Sequence, residues 1–189
     1  RSPAVIAALI LLAAPPRFCG DPDAALRLED PLRAAMGGTE AFGPWPAGKW
    51  EVHLHADAAS FENATGAPPG RAAQWIGDIL HLRPWEQLKR RDVDAILRHE
   101  LVHRRLRVAA LRRWEEEARC LHAETHTAPP RAWPAPPGAA LQDRLDAALA
   151  VGTTASQAWA YRALRAWIAG RSLPPPPHPA PPPREPWYK

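Results

Sequence analysis

The chain has 189 residues, 46% hydrophobic and 23% charged, which is enough for one modest globular domain with tails. Its net charge of +4 is carried mostly by arginine, without a Lys/Arg block or interleaved aromatics, so no nucleic-acid partner is expected. Two cysteines give no disulfide framework.

Residues 1–20 read as a secretory signal. Arg1 gives a basic start, and residues 4–14 form an uninterrupted apolar run of h-region length that Pro15 and Pro16 break. That run is too short to cross a bilayer, so no membrane span is expected. The placement that follows is secreted or periplasmic, in the cell envelope. Cys19 admits a lipid anchor, although Pro16-Arg17-Phe18 makes a poor lipobox. The competing reading of this run is a buried N-terminal helix.

Residues 21–48, rich in Asp, Pro, Gly and Ala, read as a lead-in with a short helical piece near 24–36. The folded domain is expected over 49–172. Residues 50–56 alternate with period two and predict a strand, with His53 and His55 on one face. These two histidines read as polar-face residues, not as metal ligands. A short helix follows over Ala58–Thr65, ended by Gly66 and the Pro-Pro-Gly at 68–70. Residues 72–83 are again extended, and Gly77-Asp78 marks either a hairpin turn or a bulge. Pro84 ends that strand and opens a short helix over 85–90.

Asp92 is a good N-cap for the main helix, which runs to about Arg107. On it lies His99-Glu100-x-x-His103. Histidines four residues apart share one helical face, one turn above each other, and can bind one metal ion. Glu100 points to the side of that pair, where a carboxylate can act as general base on a water. Apolar Ile96, Leu97, Leu101 and Val102 flank the motif, so the helix is at least half buried. A charged glutamate there is costly without a partner such as a metal. The competing reading is an amphipathic helix with two surface histidines. A metzincin extension would need Gly at 106 and His at 109, and the chain has Leu106 and Ala109.

Eleven residues after His103, Trp114-x-x-Glu117-Ala118-x-Cys120 resembles the Trp-x-x-Glu-Gly-x-Ala segment of the gluzincin metallopeptidases, the thermolysin-like and aminopeptidase-like superfamily, in a compact bacterial form. The resemblance covers roughly residues 50–168, and its specific part is residues 92–121. It implies an α+β fold, with a small β-sheet packed by an edge strand on a mainly helical domain. It implies Zn2+ held by His99, His103 and Glu117, with Glu100 as the catalytic base. It implies that Tyr161, at the start of a late helix, stabilises the oxyanion; the competing reading is a core aromatic like Trp159 and Trp167. It also makes Ile79–Leu82, the strand before the motif helix, the sheet edge that pairs with an extended substrate, and so puts His81 near the cleft. Glu116 and His122 are the next choices for third ligand. Glu116, Glu124 and Asp94 are the candidates to hold the ligand histidines by their second nitrogens. Glu115 and Glu116 otherwise read as a solvated acidic face, and Cys120 as a small core residue.

The chain departs from the family where Ala118 stands for Gly, and where Arg119 and Cys120 stand for small or apolar residues. The expected function is zinc-dependent hydrolysis of peptide or protein substrates. Two other classes compete with it. One is a catalytically weak, zinc-stabilised envelope domain that binds peptide or peptidoglycan, and the other is a metal-free interaction module. Beyond the motif, residues 127–138 are a proline-rich connector. Helices are expected over 141–149 and, capped by Thr153/Thr154, over 155–168 to Gly170. Residues 173–189 form a Pro-rich tail.

Overall fold

The computed structural model describes residues 16–151 and 154–176. The apolar run at 4–14 and most of the Pro-rich tail lie outside them. The fold is α+β, with a four-stranded mixed sheet and a larger helical part.

The strands are β1 (Arg17–Cys19), β2 (Glu51–Leu54), β3 (Ala73–Ile76) and β4 (Ile79–Leu82), in the order β1-β2-β4-β3. The pairs β1–β2 and β2–β4 are parallel, and β3 lies antiparallel on β4. Gly77 and Asp78 make the two-residue turn between Ile76 and Ile79, and Gly77 sits at φ +59°. A glycine at the first turn position with positive φ is what a tight II′ hairpin uses. The hairpin reading of residues 72–83 therefore holds. The edge assignment does not. β4 is paired on both sides, and the edge strand is β3. The turn folds β3 back onto the outer side of β4, which leaves β4 inside the sheet.

Val52, Leu54, Leu80 and Leu82 alternate on one face of the sheet and are buried against helices α1 (Pro22–Gly38) and α4 (Val93–Leu106). Leu28 and Leu32 of α1 and Leu97 and Leu101 of α4 complete this core. The segment expected as a loose lead-in is thus a 17-residue helix with a buried face, Ala24, Leu28, Leu32 and Ala35. Asp21 caps it through the backbone N–H of Asp23, and Pro22 suits its first turn. Pro31 within the helix masks the pattern in the sequence. β1 pairs with β2 although the signal reading puts residues 17–19 in the leader, so cleavage near residue 20 would remove an edge strand.

Helix α2 (Ala58–Thr65) crosses part of the other sheet face and buries Phe61 there. Asp57 and Ser60 cap it reciprocally. The short α3 (Trp85–Leu88) leads to α4, whose cap Asp92 accepts from Ala95 N–H at 2.9 Å. Helix α5 (Arg113–Ala123) packs on α4 and joins a second core. There Trp114, Ala118 and Leu121 meet Leu145 and Leu149 of α6 (Ala139–Val151), and Trp159 and Leu164 of α7 (Thr154–Ile168). The two cores lie on either side of the α4–α5 contact, and that contact is where the motif faces Glu117. Among the described residues, no helix is long and apolar enough to cross a membrane.

Candidate metal centre

The helical period divides the work of α4. Leu97 and Leu101 face the sheet core, and His99 and His103 face α5. From α5, Glu117 meets the two rings. Nε2 of His99 lies 3.2 Å from Nε2 of His103. The Glu117 carboxylate straddles them, with Oε2 3.6 Å from His99 and Oε1 3.7 Å from His103. Ligand atoms about 2.0–2.1 Å from a tetrahedral ion sit about 3.3–3.4 Å from one another. The two histidine nitrogens already have that spacing, and the carboxylate stands slightly further out, with a different oxygen on each ring.

The outer nitrogens are held as a metal site requires. Nδ1 of His103 is 2.8 Å from Glu116 Oε1, and Nδ1 of His99 is 3.1 Å from Glu124 Oε1. With each Nδ1–H donated to a carboxylate, each Nε2 lone pair is free to point inward. Glu124 is fixed in turn by Arg165 at 2.6 Å. Of the candidates for this supporting role, Glu116 and Glu124 fill it, while Asp94 makes no such contact among the described residues. His122 turns away from the centre, to the Ala128 carbonyl at 3.1 Å and the stacked ring of His126 at 4.1 Å.

Glu117 is 4% exposed, and its Oε2 is buried without a hydrogen-bond partner. Such an atom is costly unless something cationic meets it. Burial alone would raise the Glu117 carboxyl. The hydrogen bond and charge of His103, then the charges of His99 and Arg71, outweigh it and hold the group at about 2. Burial likewise opposes charge on His103, but Cys120, Glu116 and Glu117 beside it raise the ring well above the ordinary histidine range.

Cys120 offers a competing donor. Its sulfur and the two histidine nitrogens lie within 4.8 Å of one another. Burial pushes its thiol up to about 12, whereas the Glu117 carboxyl is held at about 2, so Cys120 offers a neutral thiol and Glu117 an anion. Cys120 also packs with Phe42, Val102 and Leu106, the core role expected for it.

Glu100 is 6% exposed, and its backbone carbonyl accepts the indole N–H of Trp75 at 2.7 Å. This bond ties edge strand β3 to the turn of α4 that carries the motif. Two cavities have Glu100 in their lining. One, of about 500 Å³, is lined by Trp75, His103 and Glu117 among others. The second, of about 530 Å³, is lined by Ala73, His99 and Tyr161 among others. Glu100 and Arg71 line both.

Tyr161 of α7 therefore does face the site. Burial, then the charge of Glu117, raises its hydroxyl above the ordinary tyrosine range, which keeps it a neutral donor; Arg71 opposes this. Arg71 was not visible as a site residue in the sequence. It follows Pro68-Pro69-Gly70 in a turn, and only the fold brings it under Tyr161 and Glu117. His81 is not near the cleft as expected. It lies on the sheet face under α2, 2.9 Å from His55, because β4 is an inner strand. The departures at 118 and 119 are accommodated. Ala118 is fully buried in the second core, and Arg119 turns away to Glu115 at 2.8 Å and the Trp133 ring.

No family model matches the chain, and no curated protein or solved structure matches it.

Proposed function

We propose that the chain is a zinc-dependent peptide hydrolase of gluzincin type. The observation that carries this reading is the His99–His103–Glu117 arrangement, in which the carboxylate faces two ring nitrogens 3.2 Å apart and keeps a buried oxygen without a hydrogen-bond partner. Zinc held by these residues would supply a Lewis acid that acidifies a water and polarises a carbonyl.

The chain's own residues do the rest. Glu124 and Glu116 keep the ligand rings oriented through Nδ1. Glu100, next to His99 in the chain and in the lining of both cavities, takes a proton from the attacking water and gives it to the departing amine. Tyr161 and Arg71 donate to the oxyanion as it develops. Substrate binds along β3. Because Arg83 N–H donates to the Ala72 carbonyl, the strand alternation turns the backbone groups of Ala73 and Trp75 to the free edge, where an extended peptide can pair.

The first test is hydrolysis of a mixed peptide pool by the purified chain. Chelation should abolish it, and zinc should restore it. Hydrolysis that survives exhaustive chelation would refute the reading. Tyr161→Phe separates the oxyanion role from packing. A lost donor should lower kcat by about 10²–10³-fold with KM little changed, whereas a purely structural tyrosine would show its loss in thermal stability with kcat retained.

A further inference from the structure

The sheet face opposite α4 carries a second group of ligand-type side chains. Register aligns Cys19 of β1 with His53 of β2, and His53 with His81 of β4. Glu51 precedes His53 by two residues, so it shares the same face. The Cys19 sulfur is 3.8 Å from Glu51 Oε2, and that same oxygen is 2.9 Å from His53 Nε2. The donor atoms of all three lie within 4.8 Å of one another. His81 stands edge-on to His53 with ring centroids 5.3 Å apart, and His55 holds His81 in place at 2.9 Å.

An exposed ion pair accounts for Glu51 and His53 alone, and such pairs contribute little. It does not account for a half-buried thiol on the neighbouring strand turned to the same carboxylate oxygen. We propose that Cys19, Glu51 and His53 form a second metal site, for a borderline divalent ion such as zinc. Thiolate, imidazole and carboxylate together suit zinc or cobalt, not the all-oxygen preference of magnesium or calcium. The Glu51 and His53 side chains are 35% and 30% exposed, so an ion has an entry path and solvent can complete its coordination. Binding takes the proton from the Cys19 thiol. The ion would staple β1 to β2 and so close the span that contains α1. The site shares no residue with the His99 centre and does not depend on the reading of that centre.

The test is cobalt(II) titration of the full chain, followed by thiolate-to-cobalt charge-transfer absorption in the near ultraviolet, beside zinc stoichiometry measured against a chromophoric chelator. The parent and Cys120→Ser should both show the band. Cys19→Ser and His53→Gln should each lose the band and one equivalent of zinc relative to the parent, with the far-ultraviolet circular dichroism of the parent retained. His53→Gln changes a half-buried polar side chain outside the apolar core, so it tests the site even if Cys19→Ser folds poorly. A band absent from the parent, or one that survives Cys19→Ser and disappears in Cys120→Ser, overturns the proposal. So does zinc stoichiometry unchanged in both sheet-face variants.

Discussion

Glu100→Gln should abolish peptide hydrolysis while leaving zinc at the His99 centre. The substitution keeps the size and shape of the side chain and removes its basicity. The structural role of residue 100 runs through its backbone carbonyl, which accepts from Trp75 and is unchanged by the substitution. Glu100 stands outside the cluster of facing ligand atoms, so bound zinc should stay within a small factor of the parent. Loss of a positioned general base costs about 10²–10⁴-fold in rate, or about 3–5 kcal/mol of transition-state stabilisation. The measurement is kcat on the best substrate from the peptide pool, with zinc content of the same preparation. Activity near the parent's with zinc retained would remove Glu100 from the chemistry. Zinc lost together with activity would make Glu100 a ligand and change the coordination set.

The motif helix could be read so far because all its signals are local. Asp92 caps it, His99 and His103 share a face by their spacing alone, and Leu97 and Leu101 mark the buried side. The end of α2 was legible for the same reason, through Gly66, which takes the left-handed conformation. What the sequence hid depends on pairing between distant segments. β1 is three residues long and pairs in parallel with a strand beyond α1, so neither its existence nor the approach of Cys19 to Glu51 leaves a local trace. The order β2-β4-β3 places the strand nearest the motif in sequence inside the sheet, and the edge falls to the strand before it. His53 read as a polar-face residue and His81 as a cleft residue, each from its own strand. Only their register shows that His53 has a thiol on one side and an imidazole on the other.

The site divides along the same line. The two histidines and the base follow from helical spacing. Glu117 followed from resemblance, because its choice among Glu115, Glu116 and Glu117 depends on how α5 is rotated against α4. The core of α5 settles that rotation. Trp114, Ala118 and Leu121 take the face toward α6 and α7, which turns Glu117 and Cys120 to α4 and leaves Glu116 at the outer nitrogen of His103. Arg71 had no signal of its own, since a proline-rich turn decides where it points.

Glu117→Ala is the second decisive substitution, and it should be read in a Cys19→Ser background so that the sheet face contributes no metal. The parent of that pair should bind one zinc per chain and melt at a higher temperature with zinc than without. A ligand present at 100 times its Kd stabilises the folded state by about 2.7 kcal/mol. Glu117→Ala removes the only anionic ligand of the three and leaves two imidazoles 3.2 Å apart, so zinc should be lost or weakened by orders of magnitude and the thermal gain should vanish. Glu115→Ala, on the same helix but paired with Arg119 away from the centre, should keep both. Full zinc binding in Glu117→Ala would keep a metal at the two histidines and pass the third position to Cys120, whose sulfur is within reach. Adding Cys120→Ser would then remove the metal. No zinc in the parent, even after reconstitution, would reduce the buried carboxylate and the paired histidines to an ion-pair network across α4 and α5. In that network His103, His99 and Arg71 together answer the Glu117 carboxylate, whose Oε2 still makes no hydrogen bond.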